Sequence, residues 1–326
     1  MPEQSRPLAL PTFHQLNRRK VAPPGSSWGV WGPTDTLGTL NHIGHEEVRA
    51  AASLVRTGRV VSLNLGLTEI DPPLFGRAAL GRDQRSIGGG NAFDETLTWN
   101  VQTASQWDGF GHVEEPSVGS YNGLDRGQHG VGHWLEHGVV SRGVLADVAR
   151  RRSSLAIDED PFVRNEIPLD EVTTTLREAG TESRRGDVLL IRTGWLAAYR
   201  ALTNAARIEL ASGEGASIGL SNNAMTLEGL WNLGVAAVAA DNPSLEAWPP
   251  SSSGDKVVAP YADWPLAASL HRSLLVRLGM PIGELWDLDR LSDTCAEEGR
   301  YEFLLVSVPM ALADGIASPA NAVAIL

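Results

Sequence analysis

GDVLLIRTGW, residues 186–195, sets Val188, Leu189, Leu190 and Ile191 in an unbroken aliphatic run between Gly186 and Gly194. A run of that length, bounded by glycines and too short for a helix, reads as a strand buried on both faces. Upstream, IPLDEVTTTLREAG (167–180) reads as a helix with Asp170 near its start. Downstream, TLEGLWNLG (226–234) and VAAVAADNP (235–243) repeat the helix-then-strand order. GVVSRGVLADVA (138–149) opens apolar and β-branched, as a further buried strand. Helices alternating with strands in this way cover a sheet, so the fold class is α/β.

The flanks continue the pattern. GHEEVRAAASLVRTG (44–58) places Val48, Ala51, Ala52 and Val55 at helical spacing with Gly58 as a stop, and RVVSLNLGL (59–67) follows as a strand. SLHRSLLVRLG (269–279) reads as a late helix and YEFLLVSVPM (301–310) as a late strand. The Gly/Ala/Ser/Pro-rich tail beyond it reads as a loop. SIGGGNAFDE (86–95) lacks the Gly-Lys-Ser/Thr ending of a phosphate loop, so no nucleotide cofactor is expected. Residues 1–26 are rich in proline and read as an irregular arm ordered by packing on a body, which a neighbouring subunit could supply. Without an internal repeat or a linker, residues 27–326 read as a single domain.

Composition narrows the function. The 326 residues carry a formal charge of -12, which argues against a nucleic-acid partner because phosphate binding needs a concentrated positive field. Lysine occurs only at Lys20 and Lys256, so the positive charge is almost entirely arginine. Cys295 is the single cysteine, which excludes an intrachain disulfide framework and a cysteine-based zinc site and fits a reducing compartment. Without a signal-peptide core or an apolar run of about 20 residues, the reading is a cytoplasmic protein with no membrane partner.

The stretch with most chemistry is QTASQWDGFGHV (102–113), where Gln102, Gln106, Asp108 and His112 fall as Q-x3-Q-x-D-x3-H. In an extended backbone Gln106 and Asp108 point the same way, and His112 returns to them after Gly109 and Gly111. Such an oxygen-rich pocket suits a cation or an activated water. Taken alone the spacing is weak, since Asp108 also reads as a turn cap and His112 as a ring packed beneath Trp107.

The order of several blocks carries more. SSWGVWGPTDTLGTLNHI (26–43), SQWDGFGHV with YNG shortly after, SRGVLADVA, GDVLLIRTGW, VAAVAADNPSLEAWP, LHRSLLVRLGMPIGELWDLDRL and FLLVSVPMALADGIASPANAVAI together resemble the cyclase, or kynurenine-formamidase-like, metal-dependent hydrolases over nearly the whole chain. The resemblance implies a swivelling β/β/α-type fold with a mixed sheet or barrel-like core flanked by helices. It also implies a homo-oligomer, dimer or tetramer, and a divalent metal held by His-x3-His-x-Asp-x3-His plus a later His and Glu. Asp108 matches the aspartate, His112 the last histidine, and His271 and Glu284 the later pair. Gln102 and Gln106 stand at the two remaining histidine positions. An amide oxygen is a harder donor than imidazole, so manganese or magnesium competes with zinc as the expected ion.

These expectations define a reaction class. A cation held by Asp108, His271 and Glu284, completed by Gln106 and Gln102, would activate water against an amide, lactam, ester or lactone of a small cyclic or aromatic molecule, with His112 as base and acid. No G-x-S-x-G elbow supports a serine nucleophile. The alternative is metal-free cyclisation, dehydration or isomerisation by His112 and Asp108; a silent ligand-binding relative is the third reading. Trp28, Trp31, Trp107, Tyr121 and His129 are expected to wall the substrate cavity. His129, His133 and His137 recur at a spacing a helix would align, interrupted by glycines, while His42 and His45 read as surface or loop residues.

Overall fold

The structure, a computed structural model, describes residues 10–21, 23–115, 118–213, 215–250 and 269–326. Lys256, residues 1–9 and residue 22 lie outside them. The elements in chain order are α1 (Phe13–Arg18), α2 (His45–Ala52), β1 (Val60–Ser62), β2 (Gly81–Ile87), β3 (Ala92–Thr98), β4 (Gln106–Asp108), α3 (Gly132–His137), β5 (Val139–Ala146), α4 (Val148–Ser154), β6 (Glu166–Ile167) and α5 (Leu169–Glu178). They continue with β7 (Val188–Ile191), α6 (Trp195–Ala201), α7 (Asn204–Ser212), β8 (Gly219–Leu220), α8 (Ala224–Leu233), β9 (Ala237–Ala240), β10 (Ile282–Glu284), α9 (Asp289–Glu298), β11 (Glu302–Ser307), β12 (Ala317–Pro319) and β13 (Ala322–Ile325). Short 3-10 turns and one π-helical segment, Arg272–Leu278, fill the connections. No helix among the described residues is long and apolar enough to cross a membrane.

Nine strands form one curled, half-barrel sheet in the order β1-β13-β11-β5-β7-β9-β10-β4-β12, flanked by helices. Its centre, β5-β7-β9-β10, is parallel, while β11, β13 and β1 on one side and β4 and β12 on the other run antiparallel to their neighbours. Val188, Leu189, Leu190 and Ile191 are fully buried, as the aliphatic run requires of a strand covered on both faces. Burying each of those side chains stabilises the fold by roughly 1.5–3 kcal/mol. Phe303 lies against Gly143 across the β11-β5 pair, so close that a Cβ at 143 would sit 2.3 Å from the ring.

Two sequence expectations change, and a third stretch gains a structure. The tail expected as a loop supplies β12 and β13, whose short runs of Ala, Ser and Pro followed by Ala, Val and Ile sit among Gly, Ser, Pro and Asn and so look like a linker although they pack like strands. The arm is not irregular throughout: Thr12 and Gln15 form a capping box that starts α1, Leu16 is fully buried, and Trp231 Nε1 donates to Pro11 O. The arm packs on α8 of its own chain. SIGGGNAFDE is the tip of a β2-β3 hairpin whose two strands are exposed throughout.

His42 departs furthest from its surface reading. It is 3 % exposed, its Nδ1–H donates to Gly234 O at 2.7 Å, and its ring meets Trp31 edge-on at 5.5 Å. Burial lowers its pKa to about 4 against the opposing pull of the Gly234 carbonyl, and its buried Nε2 has no partner to receive a second proton. Because the folded value lies below the unfolded one, the neutral ring stabilises the fold above about pH 6.5, and that contribution falls away as pH drops toward 4. It amounts to something on the order of 3 kcal/mol. Urea unfolding at pH 7 and pH 4.5 should show His42→Gln losing less stability on acidification than the wild type; equal losses would assign the acid lability elsewhere.

Candidate metal centre

Strand register builds the site. In the antiparallel pair of β4 and β10, Gln106 stands opposite Glu284 and Asp108 opposite Ile282. Alternate residues of a strand share a face, so Gln106, Asp108 and the cross-strand Glu284 project together. Trp107 takes the opposite face, where it is fully buried against Trp286 at 4.8 Å and donates from Nε1 to Ser307 Oγ. Below β4, a Gly-bearing turn with His112 N–H donating to Gly109 O brings the His112 ring back beside Asp108, Nε2 to Oδ2 at 3.9 Å. A Cβ at Gly109 would lie 2.9 Å from Ile316 O, so this turn needs glycine to pass the chain before β12.

His271 enters from a different element, at the head of the π-helical segment. Its Nε2 lies 2.9 Å from Glu284 Oε1 and 3.6 Å from Asp108 Oδ2. Ligand atoms of Asp108, His271 and Glu284 all fall within 4.8 Å of one another, and all three residues are buried. Gln106 Nε2 donates to Glu284 Oε2 at 2.6 Å and Gln102 Nε2 to Asp108 Oδ1 at 2.6 Å. Asp108 Oδ2 and Gln106 Oε1 are buried acceptors without a hydrogen-bond partner. The orphaned Asp108 Oδ2, beside a histidine nitrogen and near a second carboxylate, suits a divalent cation, and the donor set of oxygens with one imidazole fits manganese, magnesium or zinc.

The electrostatics follow from crowding. Burial would raise Asp108, but the facing His112 and His271 imidazoles overrule it and hold the carboxyl down to about 2. Glu284 is pushed up to about 7, first by burial and then by the Asp108 charge. Burial opposes protonation of His271, yet Glu246, Asp108 and Glu284 together keep its pKa well above the ordinary histidine value. Burial depresses His112 further than the Asp108 charge raises it, leaving a neutral ring able to accept a proton near neutrality.

A cavity of about 150 Å³ opens onto His112, His271 and Glu284. Phe75, Val113 and Trp248 give it apolar walls, Phe75 and Trp248 meeting edge-on at 5.4 Å, while Arg77, Ser244 and Ser269 add polar groups. Of the residues expected to wall a cavity, Trp28 donates to Val276 O, Tyr121 is buried with its hydroxyl on Asp35, and His129 bonds Tyr121 O. Trp31 packs against His42 and Trp231, and Trp107 lies in the core. None of the five lines the cavity, and Trp107 faces away because it follows Gln106 in a strand. His129 precedes α3, and His137 reaches Leu40 O, so the three spaced histidines do not converge.

Sequence reading missed Glu246, Arg77, Phe75 and Trp248. A signal existed for Glu246: a lone carboxylate in Leu245-Glu246-Ala247-Trp248, where the neighbours are of types usually buried. Arg77 and Phe75 carry no such mark, since they reach the cleft through an irregular turn in which Phe75 has φ 59°.

The molecule is thus a curled α/β sheet flanked by helices, with a buried carboxylate–histidine cluster at its antiparallel flank and a cavity beside it. The cyclase family model matches residues 27–247, and the chain belongs to that family. A solved structure described as a novel cyclase is 26% identical, with a TM-score of 0.78 over 92% of this chain and 99% of its own. Isatin hydrolase A from Labrenzia aggregata, bound to benzyl benzoate, is 16% identical with a TM-score of 0.57, covering 84% of this chain and 94% of its own. Isatin hydrolase A from Ralstonia solanacearum is 17% identical with a TM-score of 0.57, covering 82% and 91%. A search of curated proteins finds no match.

The coupling of the two carboxylates is directly measurable. Asp108→Asn removes the second-largest influence raising Glu284, so in metal-free protein its pKa should fall from about 7 toward the ordinary range, read by carbon-13 titration of labelled glutamate. An unmoved Glu284 would mean that burial alone sets it.

Proposed function

We propose that the protein is a metal-dependent hydrolase of a small cyclic or aromatic amide, lactam, ester or lactone. One observation carries the reading: Asp108, Glu284 and Glu246 are buried around a single imidazole, His271, with two acceptor atoms left unpartnered. Buried anions need compensation, and a divalent cation supplies more of it than one imidazolium. Asp108, His271 and Glu284 would hold the ion, and Gln106 and Gln102 would complete its surroundings after turning their amide oxygens inward, a rotation the shape of the amide permits. When bound, the ion lends Lewis acidity, lowering the pKa of water and polarising a carbonyl.

The chain's own residues do the rest. His112, neutral and 26 % exposed at the cavity edge, takes the proton from the attacking water and returns it to the leaving nitrogen or oxygen. Phe75 and Trp248 give a planar ring an apolar wall and keep bulk water from the reacting carbonyl. Arg77 donates from Nη1 to Gln102 O and brings positive charge to the cavity wall. The catalytic unit in this proposal is residues 27–326, whose first part, 27–247, is the stretch the family model matches, and homo-oligomeric assembly is part of the proposal.

A second reading is favoured by the two amide N–H groups that each engage one oxygen of Asp108 and of Glu284 without an ion: acid/base cyclisation or isomerisation by His112 and Asp108. A panel of cyclic imides, lactams and lactones separates the two, with isatin first because solved relatives of the same fold are isatin hydrolases. Chelation should abolish hydrolysis, manganese should restore it, and His112→Ala should lower kcat by about 10²–10⁴-fold while leaving ion binding intact. Chelator-resistant turnover that still needs His112 would establish the second reading.

A further inference from the structure

Glu246 lies outside every ligand position, yet it is fully buried and points its carboxylate at the site. It sits in the loop after β9, where Leu245 adopts φ 54° and residue 246 bridges to Leu220. Its two oxygens are divided between two donors: Oε1 accepts the Leu270 N–H at 3.1 Å, and Oε2 lies 2.7 Å from His271 Nδ1. A backbone N–H only donates, so the first contact fixes which way the carboxylate faces. The second then requires a proton on Nδ1, since an ionised carboxylate only accepts. With Nδ1 held by Glu246, Nε2 is the nitrogen aimed between Asp108 and Glu284, and its lone pair is freed when a cation takes the place of the second ring proton.

We propose that Glu246 is the positioning residue of the metal centre, holding His271 in the tautomer that ligates through Nε2 and strengthening that nitrogen as a donor. The inference rests on the reading that this cluster holds a cation. It carries particular weight in this chain, where Gln102 and Gln106 offer amides and leave His271 the one imidazole in the ligand cluster. A carboxylate behind a ligating histidine is a recurrent way of fixing ring orientation and raising donor strength.

Glu246→Gln is nearly isosteric but presents one acceptor where the carboxylate presents two. The Leu270 N–H takes the amide oxygen, the NH₂ then faces Nδ1, and the ring must place its proton on Nε2 instead. Calorimetric titration with manganese and with zinc should show affinity reduced about 10–100-fold in the variant, with circular dichroism unchanged. Nitrogen-15 spectra of the metal-free variant should show His271 without a proton on Nδ1 and with one on Nε2. Zinc-loaded wild type should show Nδ1 protonated and Nε2 bound, a measurement that decides the matter even if the variant does not fold. Wild-type affinity in Glu246→Gln, or zinc carried on Nδ1, would overturn the positioning role while the cation reading stands. A wild type that binds neither ion would overturn both.

Discussion

Three carboxylates converge on one imidazole in a space largely closed to water, and every other feature of the site answers that constraint. An isolated charge placed there would be strongly destabilising, so the fold surrounds these with partners. Gln102 and Gln106 direct amide N–H groups at Asp108 and Glu284, His271 touches Glu284 and Glu246, and Arg77 adds charge from the cavity wall. Two acceptors still lack donors. The sheet holds the charges in place, since β4 and β10 cannot slip by one residue without turning Gln106, Asp108 and Glu284 into the tryptophan layer behind them.

The same register explains the asymmetry of the molecule. The parallel centre, buried on both faces, supplies rigidity and ends in β10, which carries Glu284 at its terminus. The antiparallel flank, β4 and β12, is where polar groups can face a cavity while aromatic groups fill the core. Loops then add what strands cannot: His112 from a glycine turn, Glu246 from the loop after β9, and Phe75 and Arg77 from the turn before the β2-β3 hairpin. Binding groups mounted on loops around a rigid sheet are a common division of labour.

How much of this was legible in the sequence depends on the kind of signal each residue leaves. Aliphatic runs at 188–191 and 237–240 announced buried strands because nothing else explains such density of apolar side chains. The short β12 and β13, set among Gly, Ser, Pro and Asn, left no such trace, and their pairing with β4 and β11 depends on partners about 210 and 20 residues distant in the chain. Asp108, His271 and Glu284 were found through block order, and the structure brings them together. The aromatic residues expected in the cavity pack behind it instead, because composition marks a tryptophan as apolar without saying which face of a strand it takes. Glu246 needed three dimensions, since its meaning lies in the two donors that divide its oxygens.

The central claim, that Asp108, His271 and Glu284 hold a divalent cation, is tested most directly by anomalous diffraction from crystals of the wild-type protein soaked in manganese. The account predicts one strong peak about 2.0–2.4 Å from a carboxylate oxygen of Asp108, from His271 Nε2 and from a carboxylate oxygen of Glu284. A soaked crystal with no peak among these three side chains, their carboxylates still bonded to the Gln102 and Gln106 amides, would contradict it and leave the cleft to metal-free acid/base chemistry.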